Sequence, residues 1–359
     1  METARAAYVH IPFCVSKCPY CDFNSYDNIP ELKDDYVKAL IREIRSADVS
    51  VLDTVYFGGG TPTSLPVRDL AAVLTRLPHT EVAEITLEAN PGTVDFRGLS
   101  LLRRMGFNRL SLGVQSFDDA TLARIGRIHT AAEARTAYIT ARRAGFDNIG
   151  LDLMFALPGE KFDTLKFSLG EIIRLGTEHV SVYELSVEEG TPFARSRVET
   201  PSDDYKADAY LYIADTLSAA GYVHYEVSNF ARPGYESRHN STYWRNEPYF
   251  GFGAGATEYL GGIRRRKISS VPEYIDAVNS GKDLGEFEER VTGREKDFET
   301  VSLMLRTRRG LRADDFPAFA DSFRRLTEKG MLTRDKGRLR ATRQGLLLLN
   351  DLLCEVGEK

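Results

Sequence analysis

Three cysteines close together near the amino end of the chain carry the clearest chemistry in the sequence. Cys14, Cys18 and Cys21 follow a predicted strand directly, whereas the fourth cysteine of the chain, Cys354, lies far away. Three thiolates in one loop can bind three irons of a [4Fe–4S] cube and leave the fourth iron free for a small-molecule ligand. A structural zinc ion completed by His10 and a chance grouping of core cysteines remain as alternatives.

A run of three glycines, Gly58–Gly60, ends the second predicted strand and is followed by Thr61. Because glycine has no side chain, its backbone can approach a ligand closely and offer it polar groups. The run lacks the GKS or GKT ending of a phosphate-binding loop and the G-x-G-x-x-G spacing of a dinucleotide site, so both of these sites are excluded. A simple tight turn remains the alternative.

Four polar side chains lie at or just after the ends of predicted strands: Glu88, Gln115, Arg127 and Asp152. A carboxylate such as that of Glu88 can accept hydrogen bonds from two neighbouring hydroxyls of a ligand. A surface or helix-capping acid is the alternative for this residue. Arg127 and Asp152 fit an ion pair with a structural role equally well.

The elements that must position these residues alternate between short apolar strands and amphipathic helices. The predicted strands are Ala6–Ile11, Thr54–Gly58, Ala83–Glu88, Arg109–Val114, Asn148–Met154 and Val180–Leu185. Helices such as Leu32–Ile44 and Ala131–Ala144 separate them. This order predicts an α/β fold with a mainly parallel sheet, whose ligands gather at the carboxyl ends of the strands. Six units are too few to close an eight-unit barrel, so we expect a partial (β/α)6 barrel.

The chain divides into three predicted regions. Residues 1–200 form the partial barrel, and residues 201–286 form a connector that covers its open side. The connector contains a predicted helix, Asp203–Ala220, a strand, Tyr222–Val227, and a loop rich in glycine and aromatic residues. Residues 287–359 contain two predicted helices followed by short strands, which indicates a smaller α+β, winged-helix-like domain.

Composition and charge limit the possible functions of the chain. The 359 residues are 42% hydrophobic and 28% charged, as in a globular protein with a sizeable core. A net charge of −5 argues against a protein whose whole surface coats nucleic acid. Residues 305–343, however, contain 12 basic and 5 acidic side chains. A nucleic-acid site there remains an alternative, but we expect a lid or docking domain and no nucleic-acid partner.

The chain also gives no sign of membrane insertion or export. It has no run of eighteen apolar residues and no apolar signal sequence at its start, so we expect no transmembrane segment and a cytoplasmic location.

The C-x-x-x-C-x-x-C loop after an amino-terminal strand resembles that of the radical S-adenosylmethionine (SAM) superfamily, whose fold is a partial (β/α)6 barrel. Further blocks resemble the oxygen-independent coproporphyrinogen III oxidase branch: Tyr8–Cys14, Cys21–Ser25, Gly58–Thr63, Glu88–Pro91, Gly113–Phe117, Arg127–His129 and Asp152–Gly159. The resemblance implies a [4Fe–4S] cluster on Cys14, Cys18 and Cys21. It also implies SAM contacts from Tyr8, Tyr20, Gly59, Gly60, Thr61, Glu88, Gln115, Arg127 and Asp152. Reduction of the sulfonium to release a 5′-deoxyadenosyl radical is the implied chemistry, and it stays open whether SAM is cleaved or only bound.

One departure separates the chain from the oxidase pattern. The oxidase has a fourth cysteine two places after the third, and here that place is Phe23. The sequence around it resembles instead the heme-chaperone group of this branch, as does the motif His239-Asn240-x-x-Tyr243-Trp244. Histidine is a common axial ligand of heme iron, and aromatic rings can stack on a porphyrin. Taken alone, the motif favours a packed or turn-capping histidine over a ligand, and the missing fourth cysteine reverses this preference.

The resemblance therefore implies a heme chaperone that binds heme through His239, Tyr243 and Trp244 and passes it to acceptor hemoproteins, with a homodimer as one form. The alternative is an enzyme that converts coproporphyrinogen III to protoporphyrinogen IX by oxidative decarboxylation. The run Arg264–Lys267 fits either heme propionates, an acidic partner surface or a solvated hairpin.

Overall fold

Within residues 3–357, which a computed structural model describes, six parallel strands form the centre of the fold and follow one another in chain order. They are β1 (Ala6–Ile11), β2 (Leu52–Gly59), β3 (His79–Ala89), β4 (Arg109–Gln115), β5 (Asn148–Phe155) and β6 (His179–Glu184). All six are predicted from the sequence, with ends that differ by a few residues.

Three shorter strands extend the sheet at its two edges. β7 (Val223–Glu226) and β8 (Asn229–Ala231) pair antiparallel beside β6, and β9 (Phe250–Phe252) pairs parallel to β1. The described sheet thus has nine strands with two free edges and does not close. The expected partial barrel is confirmed.

Helices follow the strands along the chain, and the longer ones cover the outer face of the sheet. They are α1 (Lys33–Ser46), α2 (Val67–Leu74), α3 (Phe96–Arg104), α4 (Asp119–Arg124), α5 (Ala131–Arg143), α6 (Phe162–Leu175), α7 (Pro192–Arg195) and α8 (Asp203–Ala219). Local sequence sets several of their ends: Thr130 and Glu133 form a capping box before α5, and Gly176 ends α6 with a φ of 69°.

Residues alternate along the strands between an apolar outer face and a polar inner face. On β2, Val55 and Phe57 are buried against the helices, whereas Thr54 and Tyr56 point to the opposite face. The remaining parallel strands repeat this pattern, with inward polar residues at Glu84, Thr86, Glu88, Arg109, Ser111, Asp152 and Ser181. The barrel therefore has a polar interior enclosed by an apolar outer layer.

The connector adds a helix and a small sheet of its own. It contains α9 (Arg238–Trp244), β10 (Thr257–Leu260), β11 (Ile263–Lys267), α10 (Val271–Ser280) and β12 (Gly285–Arg290). Strands β10, β11 and β12 pair antiparallel. The glycine-rich segment before β10 folds back on itself, since Tyr249 and Tyr259 form an antiparallel bridge. Its strand β9 also joins the main sheet beside β1, and a side chain on Gly253 would strike the backbone of His10.

The basic run Arg264–Lys267 lies in β11 and is neutralised within the chain. Arg264 pairs with Glu289 and Glu299, and Lys267 forms a buried ion pair with Glu43 of α1. Of the three interpretations of this run, the hairpin is the one the structure contains, because β10 and β11 pair antiparallel around Gly261 and Gly262. It is solvated only in part, since Lys267 is buried, and its charges are already paired within the chain and are not free for heme propionates.

The carboxyl-terminal region has a hydrophobic core separate from that of the barrel. Its elements are α11 (Gly293–Met304), α12 (Ala320–Glu328), β13 (Leu332–Asp335), β14 (Arg338–Ala341), α13 (Arg343–Leu347) and α14 (Leu349–Gly357). Val301, Leu326 and Leu352 lie in that core. The boundaries at 200/201 and 286/287 stay predictions, and residues 1–2 and 358–359 lie outside the described part of the chain.

Short 3-10 turns complete the described structure, at Pro30–Leu32, Pro62–Ser64, Ala313–Asp315 and Pro317–Phe319. Polar contacts join the carboxyl-terminal region to the connector: the Val227 N–H donates to the Arg306 carbonyl at 2.9 Å, and Arg343 pairs with Asp215 at 2.7 Å. In the described residues we find no helix with both the length and the apolar character needed to cross a bilayer.

Candidate cluster and cofactor site

A cavity of about 400 Å³ opens at the carboxyl ends of the parallel strands. It is lined by the three clustered cysteines and by most of the residues predicted to contact SAM: Cys14, Cys18, Cys21, Tyr20, Gly59, Gly60, Thr61, Glu88, Gln115, Arg127 and Asp152. The structure therefore brings together residues that the sequence scatters over more than 130 positions. Parallel strands account for this, because their carboxyl ends meet at one edge of the sheet.

The loop that carries the cysteines is held by backbone and side-chain hydrogen bonds on both sides. The Cys14 N–H donates to the Tyr26 carbonyl at 2.9 Å, and Lys17 Nζ donates to the carbonyls of Phe23 and Ser25 at 3.0 Å. Asn24 fastens the loop to the connector, since its Nδ2 donates to the Ala254 carbonyl at 3.0 Å. These hydrogen bonds give the loop a defined shape.

A chain of hydrogen bonds connects two of these cysteines across the cavity. Arg127 Nη1 donates to Cys18 Sγ at 3.5 Å, and Arg127 Nη2 donates to Asn90 Oδ1 at 2.5 Å. Asn90 Nδ2 donates to Thr61 Oγ1 at 2.7 Å, and the Thr61 hydroxyl donates to Cys14 Sγ at 3.8 Å. Donors aimed at sulfur stabilise a thiolate, which is the form that binds iron.

Burial acts against the thiolate in the absence of iron. The partly buried position of Cys14 and of Cys21 raises the pKa of each thiol above its usual value. Iron binding at these sulfurs must therefore release protons.

A zinc site completed by His10 does not fit the geometry. His10 Nε2 lies 2.7 Å from the Asn24 carbonyl oxygen and Nδ1 lies 3.0 Å from the Tyr8 hydroxyl, so both ring nitrogens are used. Burial lowers the pKa of His10 to about 4. Within residues 3–357, no three Cys, His, Asp or Glu side chains group as ligands of one metal ion. Three thiols around a larger cube remain the arrangement that the loop fits.

Glu88 presents a carboxylate to the same cavity. Its Oε1 accepts from the Tyr56 hydroxyl at 2.6 Å, and its Oε2 accepts from the Gly59 N–H at 3.2 Å. Burial raises the pKa of Glu88 to about 7. The carboxyl group therefore changes its charge near neutral pH, which makes its binding of a hydroxyl-bearing ligand sensitive to pH.

The glycine run meets tight steric limits. Gly59 has a φ of 113°, and a Cβ on it would lie 2.5 Å from the His10 ring. The Gly60 N–H donates to the Ile11 carbonyl at 2.9 Å and the Thr61 N–H donates to the Phe13 carbonyl at 2.8 Å. These N–H groups are already used within the protein, so they are not available to a ligand in the cavity.

Gln115 and Asp152 lie at the ends of neighbouring strands, β4 and β5. Gln115 has a φ of 66°, a left-handed conformation that is strained for a side chain and is common at functional sites. Asp152 Oδ1 accepts from the Ser111 hydroxyl at 3.1 Å, and burial raises its pKa. The ion pair between Arg127 and Asp152 is not formed, because Arg127 donates to Cys18, Asn90 and the Gly113 carbonyl instead.

Tyr8 and Tyr20 take different places. Tyr20 lines the cavity and its ring lies 6.2 Å from that of Phe193 on α7. Tyr8 does not line it; its ring stacks on Tyr56 at 6.1 Å, and Tyr56 is the residue that faces the cavity. Tyr8 therefore supports the site from behind.

The three residues predicted to bind heme are not gathered around one cavity. His239 is fully buried, with Nδ1 2.9 Å from the Thr54 hydroxyl and Nε2 2.7 Å from the Tyr243 hydroxyl. Burial lowers its pKa to about 3. Both ring nitrogens thus have protein partners, and in this conformation the imidazole has no free nitrogen for iron. Trp244 lies on another face of α9 and lines a separate cleft.

Helix α9 is held in the barrel interior by its amino end. Glu84 accepts hydrogen bonds from the backbone N–H groups of Arg238 and His239 at 3.1 and 3.0 Å. The His239 ring stacks on Tyr56, with 5.1 Å between ring centroids. The helix therefore forms the floor beneath the cofactor cavity.

Sequence reasoning missed several residues that line or support the cavity: Tyr56, Asn90, Arg109, Ser111, Ser181 and Tyr183. The residue pattern of the predicted strands could have indicated these residues. Parallel strands covered on both faces are continuous apolar runs, whereas these strands alternate polar and apolar residues. That alternation indicates a polar barrel interior.

Comparison with known families agrees with this geometry. A profile described as "Radical SAM superfamily" matches residues 8–172, and one described as "HemN C-terminal domain" matches residues 291–348. The solved structure of coproporphyrinogen III oxidase (HemN) from Escherichia coli has a TM-score of 0.85 and 23% sequence identity, and it covers 99% of this chain and 90% of its own. The fold and the three-cysteine cavity thus define a radical SAM protein with a HemN-like architecture.

Comparison with curated relatives shows which family within this superfamily the chain resembles. The heme chaperone HemW of Lactococcus lactis is 37% identical over 98% of this chain and 97% of its own length. That of Bacillus subtilis is 38% identical over 97% and 98%, and that of Escherichia coli is 42% identical over 69% and 68%. The chain belongs to the HemW family of radical SAM proteins.

Proposed function

We propose that this protein is a heme chaperone that holds a [4Fe–4S] cluster and SAM, binds heme and passes it to acceptor hemoproteins. The observation that carries the proposal is the similarity to curated heme chaperones over nearly the whole chain, the carboxyl-terminal region included. The same similarity favours a chaperone over a coproporphyrinogen oxidase.

Phe23 supports this choice. It stands where the oxidase pattern has its fourth cysteine, and its side chain is 64% exposed at the edge of the cavity. A phenyl ring there supplies no thiol and no proton-transfer group to a substrate. An exposed apolar ring near the cavity mouth is suited to contact with an apolar surface.

The cluster in this proposal is held by Cys14, Cys18 and Cys21, and Arg127 and Thr61 donate hydrogen bonds to two of the sulfurs. When bound, the cluster supplies one-electron chemistry to the sulfonium of SAM. Three cysteines provide three iron ligands, which leaves one iron for SAM.

The SAM site follows from the polar groups around the cluster loop. Glu88 would accept hydrogen bonds from the ribose hydroxyls, and the backbone of Gly59 and Gly60 would contact the amino end of SAM. Gln115 and Asp152 border the cavity farther along the sheet. Tyr20 and Arg127 close the side next to Cys18, so the ligand is enclosed between the loop and the strand ends.

The cellular setting belongs to the same proposal. The acceptors are hemoproteins, and the chaperone delivers heme to them from the cytoplasm. A homodimer is one form in which it carries heme.

One experiment tests the function directly. The protein is reconstituted with iron and sulfide without oxygen, then incubated in parallel with ferric heme and with coproporphyrinogen III in the presence of SAM and a reductant. We expect the heme absorption spectrum to saturate at one heme per chain. We expect no protoporphyrinogen to form from coproporphyrinogen III. Turnover of coproporphyrinogen, or no saturable heme binding, would show the proposal to be wrong. The C14A/C18A/C21A variant, which lacks the cluster ligands, is the control for any product formed.

A further inference from the structure

A second cavity, of about 460 Å³, lies between β7, α9 and the carboxyl-terminal region. We call it the arginine cleft. Its apolar residues include Tyr225, Trp244 and Met304, and its basic residues are Arg245, Arg308, Arg309 and Arg340. No residue of the cofactor cavity borders it among the described lining residues, so the two cavities are separate.

Trp244 places part of the HNxxYW motif in this cleft. It is the only tryptophan of the chain. Its Nε1 is buried and has no hydrogen-bond partner among the described residues. Because this nitrogen is closed off from solvent, the part of Trp244 that borders the cleft is its apolar ring. His239 and Tyr243, in contrast, bond to each other inside the barrel.

The cleft has four basic lining residues and one acidic one, Glu236, so its charges are only partly neutralised. Arg245 pairs with Glu247 at 2.6 Å, and Arg340 pairs with Asp335 at 2.6 Å. Arg308 and Arg309 are exposed, and within residues 3–357 their guanidinium groups have no ion-pair or hydrogen-bond partner. These two side chains therefore remain available to an anion.

The neighbouring basic residues strengthen the positive potential. The pKa of Arg338 is lowered, first by burial and then by the charges of Arg309, Arg312 and Arg340. Several of the excess basic side chains of residues 305–343 therefore lie together at this one cleft. Guanidinium groups bind carboxylates in a bidentate manner.

We propose that the arginine cleft binds a planar apolar ligand with carboxylate groups on one edge. Under the proposed function, on which this assignment rests, that ligand is heme. Its propionates meet Arg308 and Arg309, and the macrocycle lies against Trp244 and Met304. The cleft has the size range of cofactor sites, and it combines an aromatic wall with a few placed cations, as such sites do.

This assignment changes the role of the HNxxYW motif. Its tryptophan contacts the ligand, while its histidine packs beneath the cofactor cavity through Thr54 and Tyr56. Helix α9 then links the two sites, because its residues touch both. A single-stranded nucleic acid also suits arginines beside an aromatic ring, but the net charge of −5 and the limited volume of the cleft, about 460 Å³, favour the smaller ligand.

The test compares matched charge reversals in the full chain carrying its cluster. R308E/R309E alters the cleft, and R68E/R324E alters two exposed arginines that line neither cavity. Ferric heme is titrated without oxygen and followed by its absorption. Because the charge reversal replaces donors to the propionates by repelling carboxylates, we expect R308E/R309E to weaken heme binding at least about tenfold, and R68E/R324E to change it less than about twofold. W244F should weaken binding as well, and the dimethyl ester of heme should bind the unmodified protein poorly.

The outcomes separate the two proposals. If the unmodified protein binds no heme, the proposed function is wrong. If it binds heme and R308E/R309E binds equally well, the arginine cleft is not the site, and loss of binding in H239Q would then assign heme to the histidine. RNA oligomers that bind through Arg308 and Arg309, with heme binding unchanged, would overturn the assignment too. Equal thermal unfolding of the two charge variants verifies that folding is not the cause.

Discussion

Arg127 donates a hydrogen bond from Nη1 to the sulfur of Cys18 over 3.5 Å, although the two residues are 109 positions apart. The same guanidinium donates from Nη2 to Asn90 and to the Gly113 carbonyl, both at 2.5 Å. Two of its partners belong to strand ends and one to the cysteine loop. Arg127 therefore sets the position of the loop relative to the sheet.

Replacing Arg127 by lysine should weaken the cluster. A lysine ammonium cannot reach three partners with the geometry of a guanidinium fork. Loss of an outer hydrogen bond to a metal ligand typically costs about 10- to 100-fold in metal affinity or activity. We expect R127K to hold less iron after chelator challenge and to have a more negative cluster potential. R104K, at an exposed arginine on α3, should match the unmodified protein in both measurements.

Removing any one of Cys14, Cys18 and Cys21 should abolish stable cluster binding. Each contributes one of three protein thiolates, and the remaining two cannot hold a cube firmly. The iron and acid-labile sulfide contents of the alanine variants measure this loss. C354A, at an exposed cysteine of α14, should retain full iron and sulfide. Zinc in place of iron and sulfide would contradict the assignment.

The pH dependence of SAM binding should report Glu88. Its pKa of about 7 means that the carboxylate forms as the pH rises from 6 to 8. Only the ionised form accepts hydrogen bonds from both ribose hydroxyls, so SAM affinity should increase up to about tenfold over this range. Calorimetric titration at several pH values measures the effect. E88Q should bind SAM more weakly and with a flat profile; an unchanged slope would place the titrating group elsewhere.

Breaking the ion pair between Glu43 and Lys267 should destabilise the barrel. The side chains are only 5% and 7% exposed, and Glu43 also accepts from the Tyr274 hydroxyl at 2.5 Å and the Gly253 N–H at 2.9 Å. Removing one partner of a buried pair typically costs about 3–5 kcal/mol. Lys267 also lies 3.4 Å from Glu258 and is not left unpaired. We therefore expect E43Q to lower the free energy of unfolding by less than this, about 1–3 kcal/mol, measured by urea denaturation with Trp244 fluorescence.

The matched control is the exposed pair of Arg324 and Asp321, whose side chains are largely in solvent. D321N should cost less than about 1 kcal/mol, because surface pairs contribute little. Similar losses in E43Q and D321N would contradict a structural role for the buried pair.

Stability should fall with rising pH because of Glu226. Burial raises the pKa of Glu226 to about 7, above the usual value of 4.5. The unfolded chain loses this proton near pH 4.5 while the folded chain keeps it to about pH 7, so ionisation favours unfolding between these values. The loss then levels off at higher pH, at about 3 kcal/mol.

E226Q should remove that contribution. The amide still accepts from the Ser228 N–H, which lies 3.0 Å from the carboxylate oxygen in the native residue. Urea denaturation at pH 5 and pH 8 should therefore show a smaller drop for E226Q than for the unmodified protein. An equal drop in both would assign the pH dependence to the other buried carboxyls.

The strand positions and the cysteine loop were predictable because their causes are local. Apolar periodicity sets β1 to β6, and the glycine run must end a strand where a Cβ would meet His10 or Phe13. Parallel order then brings the strand ends together, which is why Glu88, Gln115 and Asp152 were expected near the cysteines. Asn90 was not assigned, because its bonds to Arg127 and Thr61 join three separate strand ends.

The amino-acid sequence by itself determined the α/β class, the thiols available to iron, and the resemblance to a heme-chaperone family, since each depends on residue type and spacing along the chain. Only the tertiary structure decided that His239 faces the barrel interior while Trp244 faces the arginine cleft. Residues 239 and 244 lie on different faces of helix α9. What each face contacts depends on the surrounding strands and on the carboxyl-terminal region, which the helix sequence does not specify. The same holds for Glu43 and Lys267, whose pairing depends on packing between segments 224 residues apart.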